Sequence, residues 1–283
     1  MMDLSAESVE LSEAATGFVC EVQGEDTAVK GYRIALLSSY DGTDFVGFQF
    51  QNNGRSVQGV LEAALMVLYK SFVRVHGCSR TDAGVHAMGH VCHADVPFFI
   101  PAEKLPLAIN QNLPEDLAVL RAAYVDGDFH ARFGSCGKEY VYRIWNGPIR
   151  PVLERQYLAH VPIALDVECM RAAAVLFEGE LDFSAFCAAG GKHVPPVRRL
   201  DSVRVEAVPG SEEIRIVVRG KSFLYNMVRI IAGTLVYAGL GKLSVEEIAR
   251  LFEEKDRRLA GKTMPPQGLT LARVFYENGP FEV

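Results

Sequence analysis

The sequence predicts an α+β fold of two similarly built layers. Three observations predict it. Apolar residues alternate along short strand-like segments, one-face helical patterns separate those segments, and the same order of strand and helix recurs after a boundary near residues 126–138. Residues 31–130 are therefore expected as an N-terminal α+β domain and residues 131–283 as a C-terminal one. In the first half, residues 32–40 read as a strand and Asp41-Gly42-Thr43 as a turn, because the Asp41 side chain can bond the backbone that follows it. Ser56 caps a helix whose Val57, Val60, Leu61, Ala64, Leu65 and Leu68 share one face. Strands are expected over 72–76 and 90–96, flanking a loop at 78–89. A helix over 103–112 keeps Pro106 in its first turn, where a missing donor is tolerated. Residues 117–125 close that half as a strand.

The second half opens with a strand over 138–145 and a helix over 166–177, with Val167, Met170, Ala174 and Phe177 on one side. Strands over 200–206 and 214–219 precede a helix over 223–238. The next helix opens on Ser244-Val245-Glu246-Glu247, where Ser244 and Glu247 can each satisfy the other's free backbone donor. Residues 269–276 end the pattern as a strand.

A length of 283 residues fits about two domains of roughly 150 residues. With 49% hydrophobic and 23% charged residues, collagen-like, low-complexity and wholly disordered chains are excluded. The net charge of −6 argues against a polyanionic partner until it is located. Seven of the 35 acids but one of the 29 bases lie in residues 1–30, leaving 28 of each in the rest. The body is neutral and the acidic leader is expected to be disordered. No apolar run reaches the roughly 18 residues of a membrane span, and the leader lacks the basic and apolar regions of an export signal. Six scattered cysteines without a Cys-x-x-Cys pair fit reduced cytoplasmic thiols.

Chemistry concentrates in three places. Ser79-Arg80-Thr81-Asp82-Ala83-Gly84-Val85-His86-Ala87 is a dense polar loop between strands, a common seat of function. Its bland reading is an Asx turn at Asp82 with Arg80 as surface partner. His86, His90 and His93 with Cys78 and Cys92 invite a metal site, but no fourth ligand has the right spacing, and a Cys78 and His86 nucleophile pair lacks a nucleophile turn. No metal is expected. Phe129-His130-Ala131-Arg132-Phe133, followed by Lys138 to Arg143, interleaves cations with rings, which suits phosphates and unpaired bases. A half-buried strand explains it equally, and there Tyr140 and Tyr142 share a face, so at least one ring belongs to the core. Arg229 interrupts an apolar helix, and a charge in that setting needs a partner.

From about Tyr32 to Tyr276 the sequence resembles the tRNA pseudouridine synthase A family. The resemblance rests on motifs in order: Tyr40-Asp41-Gly42-Thr43 with Gly47-Phe48-Gln49, Val57-Gln58 with Leu61-Glu62, Arg80 to Ala87, Ala131-Arg132-Phe133, and Tyr140-Val141-Tyr142. They continue with Phe223 to Arg229, Gly233-Thr234-Leu235 and Pro265-Pro266-Gln267-Gly268-Leu269. The resemblance implies two mostly antiparallel sheets joined across a central basic cleft, the pseudouridine synthase fold. It places the catalytic aspartate on Asp82, the base-stacking tyrosine on Tyr140, and the arginine that pairs with the aspartate on Arg229. Arg80 falls on a position that handles the displaced base and the RNA backbone. Arg132, Lys138 and Lys221 are the further candidate substrate-binding cations, and Leu269 a candidate apolar wall. Ser79 stands where glycine is usual, Phe48 where tryptophan is common and His90 where glutamine is common.

The implied reaction isomerises uridine in tRNA without a cofactor. The N1 to C1′ bond breaks, the uracil turns while held, and C5 bonds to C1′. The compact length suggests the anticodon arm, at nucleotides conventionally numbered 38 to 40, and the resemblance implies a homodimer. Competing readings are a catalytically silent RNA-binding protein, which would use the same surfaces, and a metal-dependent hydrolase built on the histidines.

Overall fold

The structure, a computed structural model, describes residues 31–190 and 194–281. The acidic leader and Lys192 lie outside the described residues. Gly31–Val283 forms one compact unit.

The chain order is β1 (Tyr32–Tyr40), α1 (Val57–Tyr69), β2 (Val75–Gly77), β3 (His86–Val96), α2 (Leu105–Asn110), β4 (Leu117–Val125) and β5 (Ser135–Trp145). It continues with β6 (Ala159–His160), α3 (Val167–Ala174), β7 (Gly179–Asp182), β8 (Val197–Ala207), β9 (Glu213–Gly220), α4 (Met227–Gly239), α5 (Val245–Glu254) and β10 (Leu269–Tyr276). The α+β class and the mostly antiparallel pairing are as the sequence predicts. The two expected sheets are one: a ten-stranded sheet runs β4-β1-β3-β10-β5-β9-β8-β7, with β2 beside β3 and β6 beside β5. The reason is β10. It pairs parallel with β3 at Thr270↔His86 and Leu271↔Ala87, and antiparallel with β5 along nearly its whole length. The last strand thus fills the seam between the halves.

Local signals explain most boundaries. Ser56 accepts from Gly59 N at 3.2 Å and starts α1. Asp166 accepts from Glu168 N and Cys169 N and starts α3, whose last turn, Val175–Phe177, tightens into a 3-10 helix. At α5 the reciprocal capping box is complete, with Glu247 N to Ser244 Oγ at 3.2 Å and Ser244 N to Glu247 Oε2 at 2.7 Å. Differences have local causes too. Asn226 has φ +58, a left-handed backbone that cannot continue a helix, so α4 begins at Met227 and not at residue 223. β3 begins four residues early because its first residues pair with β10 and β1. α2 is shorter than expected, with Pro106 in its first turn. β2 occupies 75–77 because Val75 N is drawn to Glu62 Oε1 on α1 at 3.1 Å, while Phe72 is left exposed.

Ile34 and Leu36 of β1 are fully buried with Leu61 and Leu65 of α1. In the second half Phe177, Phe183 and Phe186 surround Phe252, with ring centroids 5.2–5.6 Å away. Each such side chain contributes about 1.5–3 kcal/mol on burial.

Candidate active site

The loop at 78–85 leaves β2 and enters β3, and its backbone is held at several points. Thr81 Oγ1 and the Tyr40 hydroxyl lie 2.8 Å apart, Phe48 N donates to Thr81 O at 3.1 Å, and Gly84 N donates to Phe45 O at 3.2 Å. Val85 N donates to Asp82 O at 3.1 Å, which closes a turn around Asp82. Gly47, at φ +114, lies so close that a Cβ there would sit 2.6 Å from Thr81 O. The Tyr40 and Gly47-Phe48 motifs therefore serve one purpose, which is to shape the Asp82 loop.

Asp82 faces Arg229, with Oδ2 and Nη1 3.6 Å apart. This is an ion-pair distance rather than a direct hydrogen bond. Burial pushes the Asp82 carboxyl above its ordinary range, and the Arg229 guanidinium pulls against that shift. Arg229 is itself fixed. Its Nε donates to Met264 O at 2.7 Å and its Nη1 to Asn226 Oδ1 at 2.7 Å. Segment 264–268 is anchored a second time by the Tyr142 hydroxyl, which donates to Pro265 O at 2.7 Å. Pro266 then abuts the Asp82 loop, since a Cβ on Gly84 would meet Pro266 Cγ at 3.0 Å.

Tyr140 and Tyr142 project from one face of β5, and both rings are buried. Tyr142 is wholly buried. Tyr140 lies against Phe223, edge to face at 5.0 Å, and its hydroxyl is 3.1 Å from Ser79 Oγ. Burial drives its pKa strongly up, so the phenol stays protonated. Leu269 is buried opposite Tyr142 in the β10 to β5 register.

The cations are not equivalent. Arg80 on the loop, Arg132 before β5 and Lys221 after β9 are exposed, and Arg132 lies 5.6 Å from the Phe133 ring. Lys138 is not a surface cation. It is buried, its Nζ donates to Ser135 Oγ at 3.3 Å, and burial pushes its pKa down while the Cys78 thiol opposes that shift.

The histidines hold structure. Gly42 N donates to His86 Nδ1 at 3.0 Å, which leaves the proton on Nε2 facing Gln156 O at 2.9 Å. Asp41 Oδ1 lies 3.1 Å from the same Nδ1. His90 Nε2 meets Ser79 O at 3.0 Å, and burial lowers its pKa to about 4. His93 Nδ1 accepts from Ala131 N at 3.2 Å. Among the described residues no three His, Cys, Asp or Glu side chains are grouped to hold a metal ion. Burial lifts the Cys78 thiol to about 11, which removes it as a nucleophile.

A family model described as tRNA pseudouridine synthase matches residues 36–134 and 173–277. The chain belongs to the tRNA pseudouridine synthase family. It is 45% identical over 251 residues to a tRNA pseudouridine synthase A of Halalkalibacterium halodurans, covering 88% of this chain and 95% of that protein. It is 46% identical to the protein of that name from Bacillus pumilus, over 87% of this chain and 100% of the relative. The corresponding figures for the Bacillus subtilis protein are 44%, 87% and 100%. For a tRNA pseudouridine synthase, the arrangement offers a half-buried carboxylate beside a fixed guanidinium and an aromatic ring next to the same loop. Sequence reasoning missed Asn226, the Met264 carbonyl and the contacts of Ser79. Asn226 alone carried a signal, as part of the motif around Arg229.

Proposed function

We propose that this protein isomerises uridine to pseudouridine in the anticodon arm of tRNA, at positions 38 to 40. The observation that carries the reading is the Asp82 carboxylate held 3.6 Å from a guanidinium whose position two groups define, Asn226 and Met264, the latter at the head of a segment tied to Tyr142. An ionised carboxylate in a water-poor site acts at C1′ of the sugar, as nucleophile or as base. Arg229 favours the charged form and orients it. The target nucleoside must leave its helical stack before an enzyme reaches the glycosidic bond, and Tyr140 supplies the ring on which the extruded base stacks. When C5 bonds to C1′, the C5 proton is released and N1 takes up a proton, so the reaction is an isomerisation with no net redox change.

Arg80, Arg132 and Lys221 are the exposed cations for RNA phosphates. Lys138 adds positive charge from a buried position, and Leu269 pairs with Tyr142 in the β10 to β5 register. The neutral body accommodates a polyanion because the placement of charge, not its sum, sets the local field. Metal chemistry is not part of this reading. The free thiols of Cys78, Cys92, Cys136, Cys169 and Cys187 support a cytoplasmic setting, and among the described residues no helix is long and apolar enough to cross a membrane. The resemblance supports a homodimer, which sedimentation of the purified protein checks.

Asp82→Asn is expected to leave folding and tRNA binding intact and to abolish tritium release from tRNA labelled at uridine C5. Release near the wild-type rate would remove Asp82 from the chemistry.

A further inference from the structure

Ser79 lies three residues before Asp82, and its surroundings hold its backbone while its side chain reaches across to another strand. The carbonyl accepts from His90 Nε2 at 3.0 Å. His90 is fully buried and stacks on Phe48, with centroids 4.1 Å apart and planes 18° from parallel. Phe48 is confined in turn, because a Cβ on Gly77 would lie 2.3 Å from its ring, and its own N–H donates to Thr81 O. The backbone on both sides of Arg80 is thus fixed by one stacked pair.

The Ser79 hydroxyl makes the 3.1 Å bond to the Tyr140 hydroxyl. Tyr140 is held at its base by β5, between Leu271 of β10 and Val218 of β9, and at one edge by Phe223. The far end of the ring is restrained by Ser79. A buried phenol without a partner would leave a polar group unsatisfied, and losing that bond also frees the ring to shift. Ser79, Phe48 and His90 are the three positions where the sequence departs from the family pattern it resembles, and in the structure they form one contact group.

We propose that Ser79 is a positioning residue that ties the Tyr140 ring to the Asp82 loop, so that the base platform and the carboxylate keep one relative placement. The proposal rests on the reading of Tyr140 as that platform. Because tRNA is bound over a wide surface, losing the tie misplaces the reacting base without weakening the complex. The cost falls on kcat and not on KM.

The test is a double-mutant cycle on the full chain, with tritium release from C5-labelled tRNA. Ser79→Ala and Tyr140→Phe are each expected to lower kcat about three- to tenfold, the range set by one ordinary hydrogen bond, with KM unchanged. Ser79→Thr, which keeps the hydroxyl, restores kcat, and the double variant is no slower than the slower single one. Wild-type kcat for Ser79→Ala, or losses that multiply, overturns the proposal. Urea unfolding of the same four proteins keeps the test decisive if Tyr140→Phe is inactive. Ser79→Ala must lower the midpoint in the wild-type background and not in the Tyr140→Phe background, and an equal effect in both overturns the tie. Near wild-type turnover by Tyr140→Ala would instead overturn the platform reading, a result that the unfolding cycle distinguishes from failure of the tie.

Discussion

Asp82 is placed between opposing influences: its burial favours the neutral acid, and Arg229 favours the anion. In the proposed reaction the anion is the acting form, so the upward shift has a sign that can be read in kinetics. Activity is lost as pH falls through the pKa of Asp82, and that loss begins at higher pH than an exposed aspartate would give. Arg229→Gln removes the guanidinium and leaves burial unopposed. The acid limb of kcat/KM is then expected to move to higher pH, with a lower rate at pH 7, whereas Arg229→Lys moves it less. An unmoved limb would mean that Arg229 acts on the substrate and not on Asp82. The need of Arg229 for a partner was legible in the sequence, because a lone cation in an apolar helix implies one. The identity of Met264 was not, since a backbone carbonyl 35 residues away leaves no mark on composition.

At the scale of elements, α4 positions Arg229, and its own placement depends on backbones touching. A Cβ on Gly233 would lie 1.8 Å from Lys262 O, and one on Gly261 would lie 2.2 Å from Thr234 N. Thr234 Oγ1 accepts from Gly261 N at 3.0 Å and donates to Ile230 O at 2.9 Å, which locks the segment to the helix. That segment leads directly to Met264, the acceptor for Arg229. Gly233→Ala must therefore push the two apart. We expect a loss of at least about 2 kcal/mol in urea unfolding, as for other overpacked cores, and a fall in kcat in whatever protein remains folded. A neutral outcome would show that the contact is adjustable. The Gly233-Thr234-Leu235 motif was visible in the sequence, but its reason lay in a partner far along the chain. The starts of α1, α3 and α5 were legible because Ser56, Asp166 and Ser244 act locally. β6 and β7 were not, because two or four residues carry no readable periodicity.

Across the whole molecule, the mixed α+β class was legible in the sequence, and the joining of the strands into one sheet was not. The fusion depends on where β10 pairs, and pairing across more than a hundred residues is absent from local pattern. With β10 bonded to β3 on one side and β5 on the other, neither half can open without exposing a sheet edge of the other. The chain has its own reporters for this. The single tryptophan, Trp145, ends β5 in the second half, while Cys78 and Cys92 are buried in the first. In a urea titration, Trp145 fluorescence and pulsed alkylation of Cys78 and Cys92, read by peptide mass spectrometry, are expected to share one midpoint. Two separated midpoints would show that the halves unfold independently and that β10 is a peripheral strand of one of them. A single midpoint would make the relative placement of Asp82 and Tyr140, which come from different halves, a property of the folded state as a whole.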